Sequence, residues 1–226
     1  MNRFARSCGT EYAGMAADGR GTEKNGRRIG GGKDDLERPY VICHILSSLD
    51  GKITGPFMGT GAVGALGAEY GKYRTEMNAD AWLYGTTTTK EFAGFCKPVL
   101  EEDGEVLEGD FVADDGAELY YISIDVDGEI GWESGTFRNK GRAPAHVIEV
   151  LTASTRAAYK AYLRKKGVSY IIAGEKRLDC ETAMKKLYER FHIETLLICG
   201  GGIFLPGLCG GDGAVYTDRK LCLCRS

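Results

Sequence analysis

The sequence predicts an α/β fold built on a mostly parallel central sheet flanked by helices. Three observations predict it. Strand-length apolar runs alternate with segments of helical periodicity between residues 40 and 202. Cap and stop residues bound the helical segments, and glycine-containing turns close the strands. The chain has 226 residues of which 43% are apolar, enough to bury a sizeable core.

The elements follow in order. Residues 1–38 are rich in glycine, lysine and arginine and lack apolar periodicity, so burial cannot offset their ordering entropy; a disordered leader is expected. From Pro39 the run YVICHILSSLDGKI reads as a first strand over about 40–47 that ends in an Asp-Gly turn. The segment from Gly64 sets Leu66, Tyr70, Tyr73 and Met77 at helical spacing and predicts one apolar face. DAWLYG is a short strand, and the threonine run after it opens a turn or helix. Residues 94–118 are acidic and irregular, without the alternating ligands and closing Glu of a calcium loop, and read as an exposed excursion. ELYYISID gives a strand, DGEIGWESG a turn and weaker extended sequence, and HVIEVLT another strand. Ser154 is the expected N-cap of the helix STRAAYKAYLRKK and Gly167 its stop. SYIIAG is a strand. Asp179 caps CETAMKKLYERF, whose Ala183, Met184, Leu187, Tyr188 and Phe191 share one face. ETLLICGGG is the last clear strand.

Composition narrows the function classes. With 29 basic and 32 acidic residues the net charge is −3, which offers no general attraction for nucleic acid or anionic membrane. The N-terminus lacks the apolar run of a signal peptide, and the apolar stretches are too short to span a bilayer, so a cytoplasmic location is expected. Cys199, Cys209, Cys222 and Cys224 include no CxxC pair, and no metal site is expected. His44, His146 and His192 show no paired spacing and read as structural. No GxSxG or P-loop occurs, so hydrolytic and nucleotide-cleaving chemistries lack their parts. Hydride transfer needs fewer protein groups, because a cofactor carries the reaction.

In a largely parallel sheet, ligands bind beyond the carboxyl ends of the strands. Four such ends carry suggestive groups. Ser47, Ser48, Asp50 and Lys52 follow the first strand; Gly85 and the threonines through Thr88 follow the second; Thr152, Ser154 and Arg156 follow HVIEV; and Gly200, Gly201 and Gly202 follow TLLIC. Hydroxyls, cations and glycine backbone suit a phosphorylated ligand, although turn formation and helix capping also account for the first three.

RPYVICHILSSLDGKITG, RTEMNADAWLYGTTTT, LYYISIDVDGEI, HVIEVLT and ETLLICGGG, in this order, resemble the reductase domain of bacterial riboflavin-biosynthesis deaminase-reductases over about residues 38–204. The resemblance implies a dihydrofolate-reductase-like fold and NADPH-dependent reduction of 5-amino-6-(5-phosphoribosylamino)uracil, whose ribose ring opens to a ribityl chain. It implies cofactor contacts at Ser47, Thr88, Val126, Thr152, Gly201 and Gly202. It also implies substrate contacts at Ser48 and at Arg74, which would face the substrate phosphate, with Asp50 and Lys52 as catalytic groups. The family commonly dimerises, making a homodimer the candidate assembly.

Two departures accompany the resemblance. Cys199 stands where the family has an acidic residue before the glycine turn. After Phe204 the chain reads IFLPGLCGGDGAVYTDRKLCLCRS in place of a helix, an Asp-Glu pair and further strands. The expectation is therefore a leader at 1–38, a reductase-like domain at 39–204 and an atypical tail at 205–226, truncated or frameshifted, with C-terminal strands missing. Ribotide reduction is the leading reading. A dihydrofolate reductase-type enzyme using Glu69 as its acid and acting on a pterin-like substrate is one alternative; a vestigial non-catalytic nucleotide-binding protein is another.

Overall fold

A computed structural model describes residues 37–48, 50–101, 108–139 and 142–200, and the backbone of 214–217 and 220–223. Residues 1–36 of the leader and the glycines Gly201 and Gly202 lie outside the described residues. Strands β1 (Tyr40–Cys43), β2 (Ala81–Gly85), β3 (Tyr120–Ile124), β4 (Thr136–Phe137), β5 (Ala145–Leu151), β6 (Ser169–Ile172) and β7 (Thr195–Ile198) form one sheet. The order is β1-β7-β2-β3-β5, with β6 and the short β4 sharing the far edge of β5. All pairings are parallel except β4 with β5. The fold class is thus α/β with a mostly parallel seven-stranded sheet, as the alternation of strands and helices predicts.

Each central strand is apolar at successive positions because both faces are covered. On one face Ala81, Leu83, Ile122, Ile148 and Val150 pack with Ala183, Met184, Leu187 and Phe191 of α4 (Cys180–Phe191). On the other, Trp82, Tyr84, Tyr121, Val147 and Leu197 pack with Tyr159, Tyr162 and Leu163 of α3 (Ala157–Lys166). Full burial of such a side chain contributes roughly 1.5–3 kcal/mol. Helix α4 begins as expected, with the Asp179 side chain accepting from the Thr182 N–H. Tyr188 alone of its expected apolar face is 36% exposed.

Five expectations change. The first strand stops at Cys43, short of residue 47. Ser154 does not cap α3: its hydroxyl lies 2.9 Å from that of Thr152, and Arg156 takes the cap position without a side-chain bond. Gly167, at φ 68°, does end that helix in the left-handed region that favours glycine. Helix α1 (Gly61–Glu76) leaves Leu66, Tyr73 and Met77 exposed, and Arg74 is its only buried residue. Within the acidic excursion Asp110 is pinned, accepting from the Ile172 N–H and from Lys186. The tail also contains strands: β8 (Ala214–Thr217) and β9 (Lys220–Leu223) form a separate antiparallel hairpin, with β8 beside β1.

Candidate active site

Because β1, β7, β2, β3, β5 and β6 run in one direction, their carboxyl ends meet along one edge of the sheet. At the end of β7, the Cys199 N–H donates to the Leu83 carbonyl at 3.0 Å and carries the ladder to Gly200. Gly200 has close neighbours on two sides. A Cβ there would stand 3.4 Å from Thr88 Oγ1 and 3.6 Å from Tyr84 Cδ1. Thr88 belongs to α2 (Thr86–Phe92), which starts directly from β2, and Thr86 in the same turn donates to the Ile124 carbonyl at 2.6 Å. The next strand ends are joined in the same way, since the Thr155 hydroxyl donates to the Val126 carbonyl at 2.9 Å. Thr152 is fully buried, with its own hydroxyl against Ser154 and its N–H on Thr155. The structure thus brings Thr88, Gly200, Val126 and Thr152 to one edge.

Beside Gly200 lies a second group of residues. Tyr84 is shared with it, and the Arg142 guanidinium donates to the Tyr84 hydroxyl at 3.0 Å while lying over the Phe92 ring at 4.3 Å. Arg74 projects from α1 over the Trp82 ring at 4.8 Å; it is 6% exposed, and its Nε has no hydrogen-bond partner. Arg74 and Arg142 both line a cavity of about 500 Å³ with Tyr70, Gly71 and Lys72. No carboxylate pairs with either arginine among the described residues. Tyr70 is fixed by donating to the His44 carbonyl at 2.8 Å and by stacking on the His44 ring at 4.0 Å. Cys199 lies between the Tyr70 and Tyr84 hydroxyls; burial pushes its thiol up, against the opposing pull of those hydroxyls and the two arginines. A buried, neutral thiol fits a packing role here better than a nucleophilic one.

The turn after β1 is a separate unit. Ser48 bonds to Asp50 and to the Lys52 backbone, and Lys52 Nζ pairs with Asp50 at 2.7 Å, with side chains 70% and 58% exposed. The Lys52 ammonium and then the Ser48 hydroxyl hold the Asp50 carboxyl below its usual range. Asp50, Lys52 and Ser48 therefore contact one another in a solvent-facing turn, and Ser47 is exposed next to them. Glu69, the acid of the dihydrofolate reading, is exposed on α1. Arg142, Tyr70 and Tyr84 are the site residues that sequence reasoning missed. Tyr84 could have been found as the residue before Gly85 at a strand end, whereas nothing in the sequence around Arg142 signals its neighbours.

A third cluster lies behind the strand ends. Asp125 Oδ2 accepts from the N–H groups of Glu129 and Ile130 at 2.7 and 2.9 Å, and the Tyr159 hydroxyl lies 3.0 Å away. Glu149 Oε1 accepts from Trp132 Nε1 at 2.6 Å. Burial pushes both carboxyls up, and for Glu149 the neighbouring Asp125 adds to the effect. His146, 2.7 Å from Ser169 Oγ, is held below its usual range by burial and is structural, as its spacing suggests.

Among the described residues no helix is long and apolar enough to cross a membrane, and no cluster of His, Cys, Asp or Glu could hold a metal ion. The side chains of Cys209, Cys222 and Cys224 lie outside the described residues. No protein-family model and no curated protein matches the chain. Solved structures do. A riboflavin biosynthesis reductase of Saccharomyces cerevisiae is similar with a TM-score of 0.42 and 17% identity, covering 73% of this chain and 64% of that one. A diaminohydroxyphosphoribosylaminopyrimidine deaminase/5-amino-6-(5-phosphoribosylamino)uracil reductase of Thermotoga maritima gives 0.42 and 23%, covering 75% and 41%. A pyrimidine reductase-like protein of Corynebacterium diphtheriae gives 0.42 and 17%, covering 72% and 66%. The chain spans less than two thirds of the length of each of them.

Proposed function

We propose that this chain is an NADPH-dependent reductase of a phosphorylated pyrimidine, with 5-amino-6-(5-phosphoribosylamino)uracil as the substrate. The observation that carries the reading is the position of Gly200, in van der Waals reach of both Thr88 on the strand-end edge and Tyr84, whose hydroxyl accepts from Arg142 of the arginine-lined cavity. A Cβ at Gly200 would just touch both neighbours, and without one the backbone at this strand end stays open to a ligand. Ser47, Thr88, Val126, Thr152, Gly201 and Gly202 are the residues assigned to the cofactor. When bound, NADPH supplies the hydride.

The chain's own residues then position the substrate. Arg74 and Arg142 offer two guanidiniums to a phosphate monoester, and each is braced by an aromatic ring. The fit has a physical reason: a nearly buried guanidinium without an anion is costly, and a phosphate entering the cavity would satisfy it. Tyr84, which accepts from Arg142, keeps its own proton facing Cys199 and orients that guanidinium. Ser48, Asp50 and Lys52 form the polar turn assigned to the sugar and to proton transfer.

A fall in NADPH absorbance on adding the aminouracil ribotide to the purified protein is the expected result. Failure of the protein to bind NADPH would overturn the reading. Turnover of dihydrofolate in place of the ribotide would move the assignment to the other substrate class.

A further inference from the structure

The clearest unexplained feature is three buried oxygens behind the strand ends that have no hydrogen-bond partner: Glu149 Oε2, Asp125 Oδ1 and Ser123 Oγ. All three residues are fully buried. Ser123 and Glu149 are register partners on the adjacent strands β3 and β5, and Asp125 follows two residues after Ser123, so their side chains share one face of the sheet. The titratable groups facing this cluster are Tyr121 from β3 and Tyr159 and Tyr162 from α3, all neutral, together with the exposed Glu129 of the following loop. Trp132 adds a neutral donor. No Lys, Arg or His pairs with Asp125 or Glu149 among the described residues.

Two carboxylates in such a setting cannot both be charged at low cost, because nothing neutralises them and their charges repel. The asymmetry of their bonds says which one is the anion. Asp125 is served by two backbone N–H groups, of Glu129 and Ile130, and by the Tyr159 hydroxyl, whereas Glu149 has one indole N–H at bonding distance and only the Ser123 hydroxyl beside it. We propose that Asp125 and Glu149 share a single proton in the folded protein, carried on Glu149, and that this proton sets the position of the 125–132 segment. Protonation of Glu149 removes the second negative charge, which no cation in the cluster neutralises. Asp125, kept as the acceptor, holds the loop that starts at Val126, and so Glu149 is a positioning residue for the strand-end edge. Only the effect on ligand binding rests on the reductase reading; the proton does not.

The sign of the pH dependence follows. The folded state holds a proton that the unfolded Glu, with its ordinary value of 4.5, releases. Stability is fully present below that value and falls as pH rises toward the folded value, by up to about tenfold in the folding equilibrium constant per pH unit. Glu149→Gln keeps an acceptor for Trp132 and adds a fixed donor, so this variant should fold and lose that slope between about pH 5 and 8. Thermal unfolding across this range, on the full chain, reads it. The wild-type infrared spectrum provides a measurement that needs no variant: the carbonyl band of a protonated carboxylic acid should be present at pH 7. An unchanged slope in Glu149→Gln, or a wild-type spectrum without that band, would overturn the proposal. Should the protein fail to bind NADPH while the slope and the band are as expected, the reductase reading falls and the shared proton stands.

Discussion

Arg74 shows how a residue legible in the sequence acquires meaning only from its surroundings. A helix arginine is usually solvated; this one is nearly buried, stacked on Trp82 and short of a partner for its Nε. Charge-assisted hydrogen bonds to a phosphate contribute about 1.5–3 kcal/mol each. If the ribotide is the substrate, as proposed, Arg142→Ala is expected to raise KM for it by about tenfold or more, and Arg142→Lys should recover little of this because a point charge cannot reproduce a planar fork. Steady-state kinetics on the two variants checks both. Inorganic phosphate should raise the melting temperature of the wild type and leave that of Arg74→Gln unmoved. Asp50→Asn should leave the melting temperature unchanged, because the pair with Lys52 is exposed to solvent; a loss of turnover in the same variant would then report on chemistry alone. Ser48, Asp50 and Lys52 could be grouped from the sequence because they lie within one short segment and form their own turn. Arg142 was not, because its contacts with Tyr84 and Phe92 are made only by the tertiary fold.

At the level of the elements, local signals succeeded wherever they were sufficient by themselves. Asp179 caps α4 and Gly167 ends α3 because each needs only its own turn of chain. Removing the cap with Asp179→Ala should cost about 1 kcal/mol in chemical denaturation. Ser154 failed as a cap because the buried Thr152 hydroxyl competes for it, a contact between neighbouring side chains that composition does not rank. The apolar face expected of α1 failed for another reason. Periodicity states which residues share a face, but not whether the sheet reaches it, and here contact runs through Arg74 and Tyr70 while Leu66, Tyr73 and Met77 face outward. The same helix carries Gly61, Gly64, Gly67 and Gly71. An added Cβ at Gly64 meets nothing within 4 Å, so Gly64→Ala should stabilise the protein by about 0.5–1 kcal/mol, read as a higher denaturant midpoint at unchanged slope.

For the molecule as a whole, the sheet was legible because alternating strands and helices leave few topologies, while strand order was not, since apolar runs carry no mark of their neighbours. Stability should be unevenly distributed. Amides in β2, β3 and β5, buried throughout or nearly so, should exchange with solvent slowest, and those of α1 fastest among the long helices. Hydrogen exchange read by mass spectrometry checks this ranking. The strand order has one more consequence. β7 lies between β1 and β2, pairing Leu196 with Val41 on one side and with Ala81 on the other. β1 therefore finds its parallel neighbour in this sheet only when β7 is synthesised. Until then β1 and the flank of β2 are unsatisfied edges, open to pairing with other chains. Assembly in the cell is thus gated by the arrival of residues 195–198, and a nascent chain arrested before them is the form most prone to aggregate.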